Sequence, residues 1–359
     1  MRKNTNTKAK LVLCVAFCCP IVLFLLFIKI KPRHFSFQYG DSIYSRNETN
    51  TSEEERQTEV PVCKPNVNLH RKPLFELNYT YVIDGRHTCE PADDVTSLPS
   101  IVIIVHSRIS SSDQRDAIRN TWGVASRRYD DDQPMVKIVF ILGRDLNSSS
   151  TTTTRIEQEN RLYRDVIVAD FKDTYRNLTL KSLYGMHWAR AFCRSAEYIV
   201  KVDDDVYLDV DLLKGVLLNS TDEGGIILGS LNARARVQRR GLWKVKTNIY
   251  PSNFFPPYCS GNAYAMTSSV TDCLLAGVSQ VPYFPLEDVY VTGMLARARG
   301  VTCRGLAIFP QWYVGPTGKH VRMLLEGKLV ALHNVHYTQM RGIFDKLIER
   351  NLKRQPSNG

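Results

Sequence analysis

The sequence predicts an α/β domain with a largely parallel central sheet, carried on a single N-terminal membrane anchor. Short apolar runs rich in β-branched residues, which are typical of buried strands, alternate with segments whose apolar residues recur at helical spacing. Strands that alternate with helices favour parallel pairing in one sheet. A separate uncharged run near the N-terminus is long enough to cross a bilayer.

The N-terminal apolar run, 11–28, is bounded by Lys10 and Lys29. No small-residue cleavage site follows it, which favours an uncleaved signal anchor over a removed signal peptide. We therefore expect a transmembrane anchor at 11–28 and a cytosolic tail at 1–10. The short run suits the thinner membranes of the early secretory pathway.

Six Asn-X-Ser/Thr sequons follow the run and indicate a body in the lumen, where glycans are added. Their asparagines are Asn47, Asn50, Asn78, Asn147, Asn177 and Asn219. Six of the nine cysteines also follow the run, and disulfides persist in that compartment, although the pairing stays open. A lumenal body excludes nucleic acid as the partner for the formal net charge of +11. The basic run 234–246 is then either a solvated loop or a surface for sugar nucleotides or anionic acceptors.

Residues 29–97 are polar, with scattered proline and few apolar clusters. This composition is typical of a stem that holds a domain away from a membrane. The remaining residues, 98–359, are enough for one domain with a substantial core, and they contain no internal repeat.

The first half of this domain alternates strands and helices. Apolar runs predict three strands, at 101–105, 136–143 and 166–170. Between the first two, Ser112 or Asp113 can cap a helix that Gly123 closes. After the third strand, apolar residues at helical spacing predict a helix over 180–191.

The next strand begins at Tyr198 and ends at three successive carboxylates, Asp203, Asp204 and Asp205. Adjacent aspartates repel one another, so a folded protein tolerates them best where a cation or a hydrogen-bonded turn takes up the charge. Carboxylate oxygens suit hard ions such as Mg²⁺ or Mn²⁺, whose open positions diphosphate oxygens can fill. The alternative is a solvated acidic turn.

Other polar residues are predicted near this strand end. Ligands of open α/β sheets bind beyond the carboxyl ends of the strands, where His106 and Asp170 also fall. Arg115 and Arg119 lie four residues apart on one helix face. They either bind phosphate or uridine, or form an exposed helix face.

Two later segments offer further candidates. The stretch 255–264 is rich in proline, glycine and aromatic residues, and it is either a loop that walls a sugar site or a structural turn. Glu287 and Asp288 begin an apolar helix, where two acids either favour the helix dipole or include a general base.

A late apolar strand at 329–336 ends in two histidines, His333 and His336. A histidine at a strand end is usually structural. Imidazole is also the commonest nitrogen ligand of transition metals, so both interpretations stay open.

In their order along the chain, these segments resemble the motifs of the beta-1,3-galactosyltransferase family of Golgi glycosyltransferases. The matching segments are 115–122, 140–143, 170–181, 201–205, 258–261 and 287–291. The resemblance implies a GT-A type nucleotide-sugar-binding domain, Mn²⁺ dependence, type II membrane topology and inversion at the anomeric carbon. Two departures from the motifs, Asn262-Ala263 and an inserted Thr292, leave the donor sugar and the acceptor open.

The activity that the resemblance implies is transfer of galactose from UDP-galactose to the 3-hydroxyl of an acceptor glycan, on a glycoprotein or glycolipid in the Golgi. A beta-1,3-N-acetylglucosaminyltransferase, or an N-acetylgalactosaminyl relative, is the alternative within the enzyme class. A catalytically silent lumenal protein that binds glycans or assists an enzyme would lack a metal or base position. Asp205, Asp288 and His333 are all present.

The resemblance also suggests roles for individual residues. Asp205 is the firmest metal ligand, with Asp203 or Asp204 and His333 beside it. Expected donor contacts are His106, Arg115, Arg119, Asp170, Asp203 and Asp204, and expected acceptor or sugar contacts are Tyr258, Ser260 and Gly261.

Two acids outside the metal group, Glu287 and Asp288, are candidates for the general base. An inverting transfer needs a carboxylate on the acceptor side of the donor sugar, opposite the departing diphosphate. The metal-binding aspartates would lie on the leaving-group side, so Glu287 and Asp288 remain. Adjacent residues at a helix start point about 100° apart, so only one can face the acceptor. By resemblance that residue is Asp288.

Overall fold

A mixed eight-stranded sheet forms the centre of the protein. The structure, a computed structural model, describes residues 74–90, 100–127, 136–145, 150–220, 225–311 and 313–354. The strands are β1 (Tyr81–Ile83), β2 (Ile101–His106), β3 (Val136–Arg144), β4 (Val166–Lys172), β5 (Tyr198–Asp203), β6 (Tyr207–Leu208), β7 (Ile226–Asn232), β8 (Tyr258–Thr267), β9 (Thr302–Gly305) and β10 (Ala331–Leu332). The α-helices are α1 (Ser112–Arg119), α2 (Ser150–Tyr163), α3 (Leu178–Phe192), α4 (Val210–Leu218), α5 (Ser268–Gly277), α6 (Ala296–Ala298), α7 (Gly318–Leu325) and α8 (Tyr337–Arg354). A π-helix, Val289–Leu295, runs directly into α6.

The order of strands in the large sheet is β1-β4-β3-β2-β5-β8-β7-β9. Strands β4, β3, β2 and β5 are parallel, whereas β8 runs antiparallel to both β5 and β7. The remaining two strands, β6 and β10, pair with each other in a separate small sheet. The predicted α/β domain with a largely parallel sheet is therefore confirmed.

The central strand β2 has an apolar run without polar interruption because both of its faces are buried. All six of its residues are buried, because helices cover both faces of the sheet. Ile103 belongs to the core cluster of one face together with Trp122. Ile104 belongs to the cluster of the other face together with Trp188, as expected when successive side chains point in opposite directions.

Residues 74–90 lie within the predicted stem but pack against the sheet. Strand β1 pairs with β4 through Tyr81 and Ala169. A disulfide joins Cys89 to Cys193 at the end of α3. The sequence signal is an alternation of apolar and polar residues over 75–81, which is typical of a half-buried edge strand.

No helix in the described parts of the chain is long and apolar enough to cross a membrane. The predicted tail and anchor, 1–28, lie outside the described residues.

A second disulfide joins Cys259 to Cys303, and Cys273 is disulfide-bonded as well.

Two predicted boundaries are wrong. Helix α1 ends at Arg119, and Gly123 lies inside a following 3₁₀ turn, Trp122–Arg127. A Cβ atom at Gly123 would lie 2.5 Å from the carbonyl oxygen of Ile118, so glycine serves close packing there. The predicted strand at 329–336 is only two residues long, Ala331–Leu332, because it pairs with the equally short β6.

Candidate active site

The three aspartates lie at the carboxyl end of β5, next to the end of β2. Asp203 is in register with His106, and the backbone N–H of Asp204 donates to the carbonyl of His106. The Asp204 carboxylate accepts a 2.8 Å hydrogen bond from Ser107 Oγ. Asp204 is therefore turned towards β2, and burial raises its pKa above the ordinary value.

Asp203, Asp205 and His333 form a group of potential metal ligands. One ligand atom from each lies within 4.8 Å of the other two. The small sheet brings them together, because β6 follows Asp205 and β10 precedes His333. The N–H of Val335 also donates to the Asp205 carbonyl at 2.7 Å. The sequence placed these three residues in one site, and the structure brings them together.

The chemistry of this group fits a divalent cation. Asp205 Oδ1 is buried and has no hydrogen-bond partner, although the side chain as a whole is 41% exposed. Burial, followed by repulsion from Asp203, raises the pKa of Asp205 to about 6. Two carboxylates and one imidazole are a ligand set suited to a transition metal such as Mn²⁺.

Lys201 links the metal group to the acidic pair of the later helix. Its Nζ donates to Asp203 Oδ1 at 2.6 Å and to the Gly261 carbonyl, and it lies 3.7 Å from Glu287 Oε2. The side chain is 7% exposed. Burial alone would lower the pKa of Lys201, but Asp203 and Glu287 raise it above the ordinary value, so the ammonium stays charged.

Glu287 is engaged by hydroxyl groups as well as by this cation. It accepts hydrogen bonds from Ser182 Oγ at 2.5 Å and from Tyr264 Oη at 2.6 Å, and the residue is 6% exposed. Both hydroxyls donate to Oε1, and Lys201 lies near Oε2, so buried partners hold the Glu287 carboxylate in a fixed orientation.

Asp288 differs from its neighbour. It is half-buried at the start of the π-helix, where Oδ1 accepts from the Val289 N–H at 2.9 Å. Burial, followed by repulsion from Glu287, raises the pKa of Asp288 to about 7. A carboxyl group with a pKa near neutrality is well matched to general-base catalysis.

The predicted loop at 255–264 is wrong from Tyr258 onwards, where β8 begins. Its two prolines, Pro256 and Pro257, precede the strand, so they remove no N–H from its ladders. Strand β8 is central, since it pairs with β5 on one side and β7 on the other. Ser260 is 6% exposed, whereas Tyr258 is half-buried, and burial followed by the charge of Asp288 raises the pKa of its hydroxyl.

Gly261 lies on β8 where its pairing with β7 is irregular. The register shifts between Gly229, which faces Tyr264, and the next paired residue. A Cβ atom at Gly261 would lie 3.1 Å from Glu287 Oε2 and 3.2 Å from Asp288 Cβ. Glycine thus allows the strand to approach the acidic pair closely, and a bulge beside a site is a common way to aim its groups.

The two arginines of α1 do not face a ligand site. Arg115 is 0% exposed and binds both oxygens of Glu159 at 2.6 Å. Arg119 is 4% exposed and binds both oxygens of Asp165 at 2.8 Å. An exposed helix face is therefore wrong. Neither guanidinium is free for phosphate or uridine, since buried charges take carboxylate partners.

Arg115 reaches the aspartates only through an intermediate. Its Nη1 donates to Ser107 Oγ at 3.2 Å, and that hydroxyl donates to Asp204. His106 is also buried. The residue is 4% exposed, and its Nε2 lies 3.3 Å from Ser182 Oγ. Burial, then the charge of Lys201, lowers the pKa of His106, which is therefore neutral. Arg115 and His106 are therefore buried residues that contact the site through serine hydroxyls.

Asp170 lies away from the cluster. It is 41% exposed and pairs with Arg144 at 2.7 Å. Within the matching segment 170–181, Asp173 is the acid that is connected to the end of β2, because its carboxylate binds Lys181 Nζ at 2.8 Å. Lys181 also donates to the Ser107 carbonyl. Sequence reasoning missed Lys181, Asp173 and Lys201 as site residues, although all three lie inside the matching motifs.

The described sequons differ in accessibility. Asn78 and Asn219 are exposed, whereas Asn177 is half-buried and its amide donates to the Lys172 carbonyl at 2.8 Å. Thr179 of the same sequon is 0% exposed and donates to the Phe284 carbonyl. A glycan at Asn177 would have to be added before folding. Asn47, Asn50 and Asn147 lie outside the described residues.

Beta-1,3-galactosyltransferase 5 of Homo sapiens is 32% identical over 264 residues, covering 73% of this chain and 83% of the relative. Beta-1,3-galactosyltransferase 1 of Mus musculus is 28% identical over 288 residues, covering 78% and 82%.

Solved structures resemble the chain only distantly. The WbbM bifunctional glycosyltransferase covers 73% of this chain and 55% of its own, with 13% identity and a TM-score of 0.38. The galactosyltransferase LgtC, in complex with donor and acceptor sugar analogs, covers 68% and 96%, with 10% identity and a TM-score of 0.36.

The family assignment rests on sequence. The family model described as Galactosyltransferase matches residues 113–306, more than half of the chain, and this range contains the aspartates, Lys201 and the acidic pair. Such relatives transfer hexose units, and the chain is a hexosyltransferase. The chain belongs to the galactosyltransferase family.

Proposed function

We propose that this protein transfers galactose from UDP-galactose to the 3-hydroxyl of an acceptor sugar, with inversion and with Mn²⁺ as cofactor, on a GT-A type domain. The observation that carries the proposal is the joint placement of the Asp203, Asp205 and His333 group and of Asp288, with Lys201 between them. The names of the relatives, beta-1,3-galactosyltransferases 1 and 5, support the sugar and the linkage.

Asp203, Asp205 and His333 would hold the metal ion. A bound divalent cation supplies positive charge where negative charge develops as UDP departs. Neighbouring residues of the protein would orient these metal ligands. Lys201 fixes one oxygen of Asp203, and the Val335 N–H fixes the backbone of Asp205. These contacts leave Asp205 Oδ1 available.

Asp288 would take the proton from the attacking 3-hydroxyl. The Val289 N–H donates to its Oδ1 at 2.9 Å, and backbone hydrogen bonds from Val289 and Gly261 hold the carboxylate in place. Glu287 is less suited to this role, because Ser182 and Tyr264 both donate to its Oε1 and the charge of Lys201 lies 3.7 Å from its Oε2. The proton leaves the hydroxyl for Asp288 as the oxygen attacks the anomeric carbon from the face opposite the diphosphate.

We also propose that the domain lies in the Golgi lumen on a type II anchor at 11–28. Two disulfides, Cys89–Cys193 and Cys259–Cys303, support an oxidising compartment. Exposed Asn78 and Asn219 are available for glycans. Treatment with an N-glycanase should increase the gel mobility of protein from secretory cells, and an unchanged mobility would contradict this topology.

The activity is tested by offering the full chain UDP-galactose, UDP-N-acetylglucosamine and UDP-N-acetylgalactosamine with a panel of simple acceptors. We expect β1,3-linked galactose in the product, identified by linkage analysis. An N-acetylhexosamine product would reject the donor. Full activity in excess EDTA would reject the metal, since a cationic side chain would then have to stabilise the departing UDP.

A further inference from the structure

The connection between β7 and β8, residues 233–257, carries a surface that the proposed reaction does not use. The sequence contains no Asp or Glu from 224 to 271, so every charge of this connection is positive. Exposed basic and large apolar residues alternate near its tip. They are Arg240, Leu242, Trp243, Lys244, Lys246 and Ile249, and we call them the loop surface.

The backbone of this connection is firmly held. Arg239 donates to the carbonyls of Val245 at 3.0 Å, Tyr250 at 2.9 Å and Ser252 at 2.6 Å. Val245 is 3% exposed, so one residue of the tip is anchored in the core. The loop surface is consequently a built feature with defined positions.

Among the described residues, the three cations of the loop surface, Arg240, Lys244 and Lys246, form no ion pair with a carboxylate. In contrast, Arg115 and Lys201 elsewhere in the domain are each bound by carboxylates. Unpaired cations on a fixed backbone favour an anionic partner.

The apolar residues narrow the choice of partner. Leu242 is 66% exposed, Ile249 is 56% exposed and Trp243 is 39% exposed. A soluble anionic sugar would use the cations and the tryptophan but gives the two aliphatic side chains no apolar partner. Trp and aliphatic residues interleaved with Lys and Arg match the interface of a bilayer, where rings and chains enter the headgroup region.

The loop surface lies close to the candidate active site. Trp243 Nε1 donates to Tyr175 Oη, and Arg176 donates to the Leu242 carbonyl at 3.2 Å. Tyr283 Oη in turn donates to the Arg176 carbonyl, and Tyr283 leads into the segment that ends at Asp288. A partner on the loop surface would therefore sit beside the acceptor side of the site.

We propose that the loop surface docks on a lipid bilayer that carries acidic headgroups. The cations would contact headgroup phosphates, while Leu242, Trp243 and Ile249 enter the interface. Docking would hold the mouth of the active site at headgroup level. This surface is separate from any membrane span, and its docking is independent of the sugar that the enzyme transfers.

The test uses the full chain in vesicles whose acyl chains carry bromine, which quenches tryptophan on contact. Trp122 and Trp188 are 3% and 0% exposed, and Trp312, outside the described residues, is replaced by Phe throughout. The vesicles contain phosphatidylcholine alone or mixed with phosphatidylglycerol. We expect quenching of Trp243 in the acidic vesicles and its loss in high salt.

Two sets of variants sharpen the test. Arg240→Gln, Lys244→Gln and Lys246→Gln together should lower the ratio of docked to undocked protein by on the order of 100-fold. A matched triple variant with Gln at three other exposed cations, Lys328, Arg341 and Lys353, should quench like the parent. Leu242→Glu with Ile249→Glu should abolish quenching while the loop cations remain.

Several outcomes would overturn the proposal. Trp243 left unquenched in acidic vesicles would do so, as would equal quenching in both triple variants. If a soluble sulfated oligosaccharide changes the emission of Trp243 and the brominated vesicles do not quench it, the loop surface binds an anionic acceptor and not a bilayer. The predicted stem contains three consecutive acids, Glu53, Glu54 and Glu55. If replacing them by Gln shifts the emission of Trp243 in the absence of vesicles, the partner of the loop surface is this chain's own stem. None of these readouts depends on transfer activity.

Discussion

The two acidic segments of the site, 203–205 and 287–288, show how neighbouring carboxylates acquire different roles. In the first, Asp204 is bound by Ser107 while Asp205 keeps a buried oxygen without a partner. In the second, Glu287 is saturated by buried donors, and Asp288 is left with a raised pKa. The surroundings of each carboxylate therefore decide its chemistry, since the residue types are nearly the same.

The largest effect is expected from the metal side of this comparison. Asp205→Ala removes the ligand with the unpartnered oxygen, and the loss of several kcal/mol of charge stabilisation corresponds to roughly 10³-fold in turnover. Binding of Mn²⁺ and of UDP should weaken together, measured by calorimetry. Asp204→Asn is the matched control and should bind the metal nearly as well as the parent. Equal losses in both variants would show that the two aspartates are not distinguished.

On the base side, Asp288→Asn should lower turnover by roughly 10²- to 10⁴-fold because the proton acceptor is lost. Metal-dependent UDP binding should remain, which separates this variant from Asp205→Ala. Glu287→Gln should retain more turnover than Asp288→Asn. If instead Glu287→Gln is dead and Asp288→Asn is active, the base is Glu287.

The link between the two segments can be broken at Lys201. Lys201→Met leaves Asp203 and Glu287 without their shared cation, and removing one partner of a buried ion pair costs about 3–5 kcal/mol. Urea unfolding measures this loss. Combining Lys201→Met with Glu287→Gln should cost less than the sum of the single changes, whereas strict additivity would mean that the two residues do not interact.

The pH dependence sharpens the assignment of Asp288. Burial and Glu287 raise the pKa of Asp288 to about 7, so the basic form is lost as the pH falls through that value. The rate constant kcat/KM should fall about tenfold per pH unit below it. Because protonation is favoured in the folded state, this group contributes less stability as the pH rises towards 7. The Asp288→Asn variant should lose the acidic limb of the profile, and a retained limb would point to another group.

A smaller effect is expected where β8 approaches the acidic pair. Gly261→Ala places a Cβ atom 3.1 Å from Glu287 Oε2 and 3.2 Å from Asp288 Cβ, so the pair must move by a few tenths of an ångström. We expect roughly a tenfold loss of turnover from this displacement. Gly318→Ala is a suitable control, since no atom lies within 4 Å of its added Cβ. Unchanged turnover in Gly261→Ala would mean that the close approach has no catalytic purpose.

The strands β2, β3, β4 and β5 and the helix α3 could be predicted from the sequence. Each is a local pattern of apolar residues long enough to identify its element. These elements depend on residues close together in the chain. Asp203, Asp205 and Asp288 were grouped by the motifs 201–205 and 287–291, whereas His333, which follows a short apolar run, lies in none of the matching segments.

Strand β8 could not be recognised from its own residues. The two prolines before it and the glycine within it suggested a loop, yet neighbours on both sides supply its hydrogen bonds, which is how tertiary pairing overrides local preference. Strand β1 differs, because the alternation of apolar and polar residues over 75–81 is a local signal, but only its pairing with β4, far along the chain, shows that it joins this sheet.

The sequence by itself determined which residue types are available, namely two acidic segments, a late histidine and buried strands that present them. Only the tertiary structure decided which of the charged groups meet a buried partner. For Arg115 the sequence left open both a phosphate ligand and an exposed helix face, and α1 packs it against Glu159 instead. Lys201 had no predicted role, and the fold places it between Asp203 and Glu287. The physical reason is that the cost of burying a charge depends on partners distant in sequence, and only folding brings those partners together.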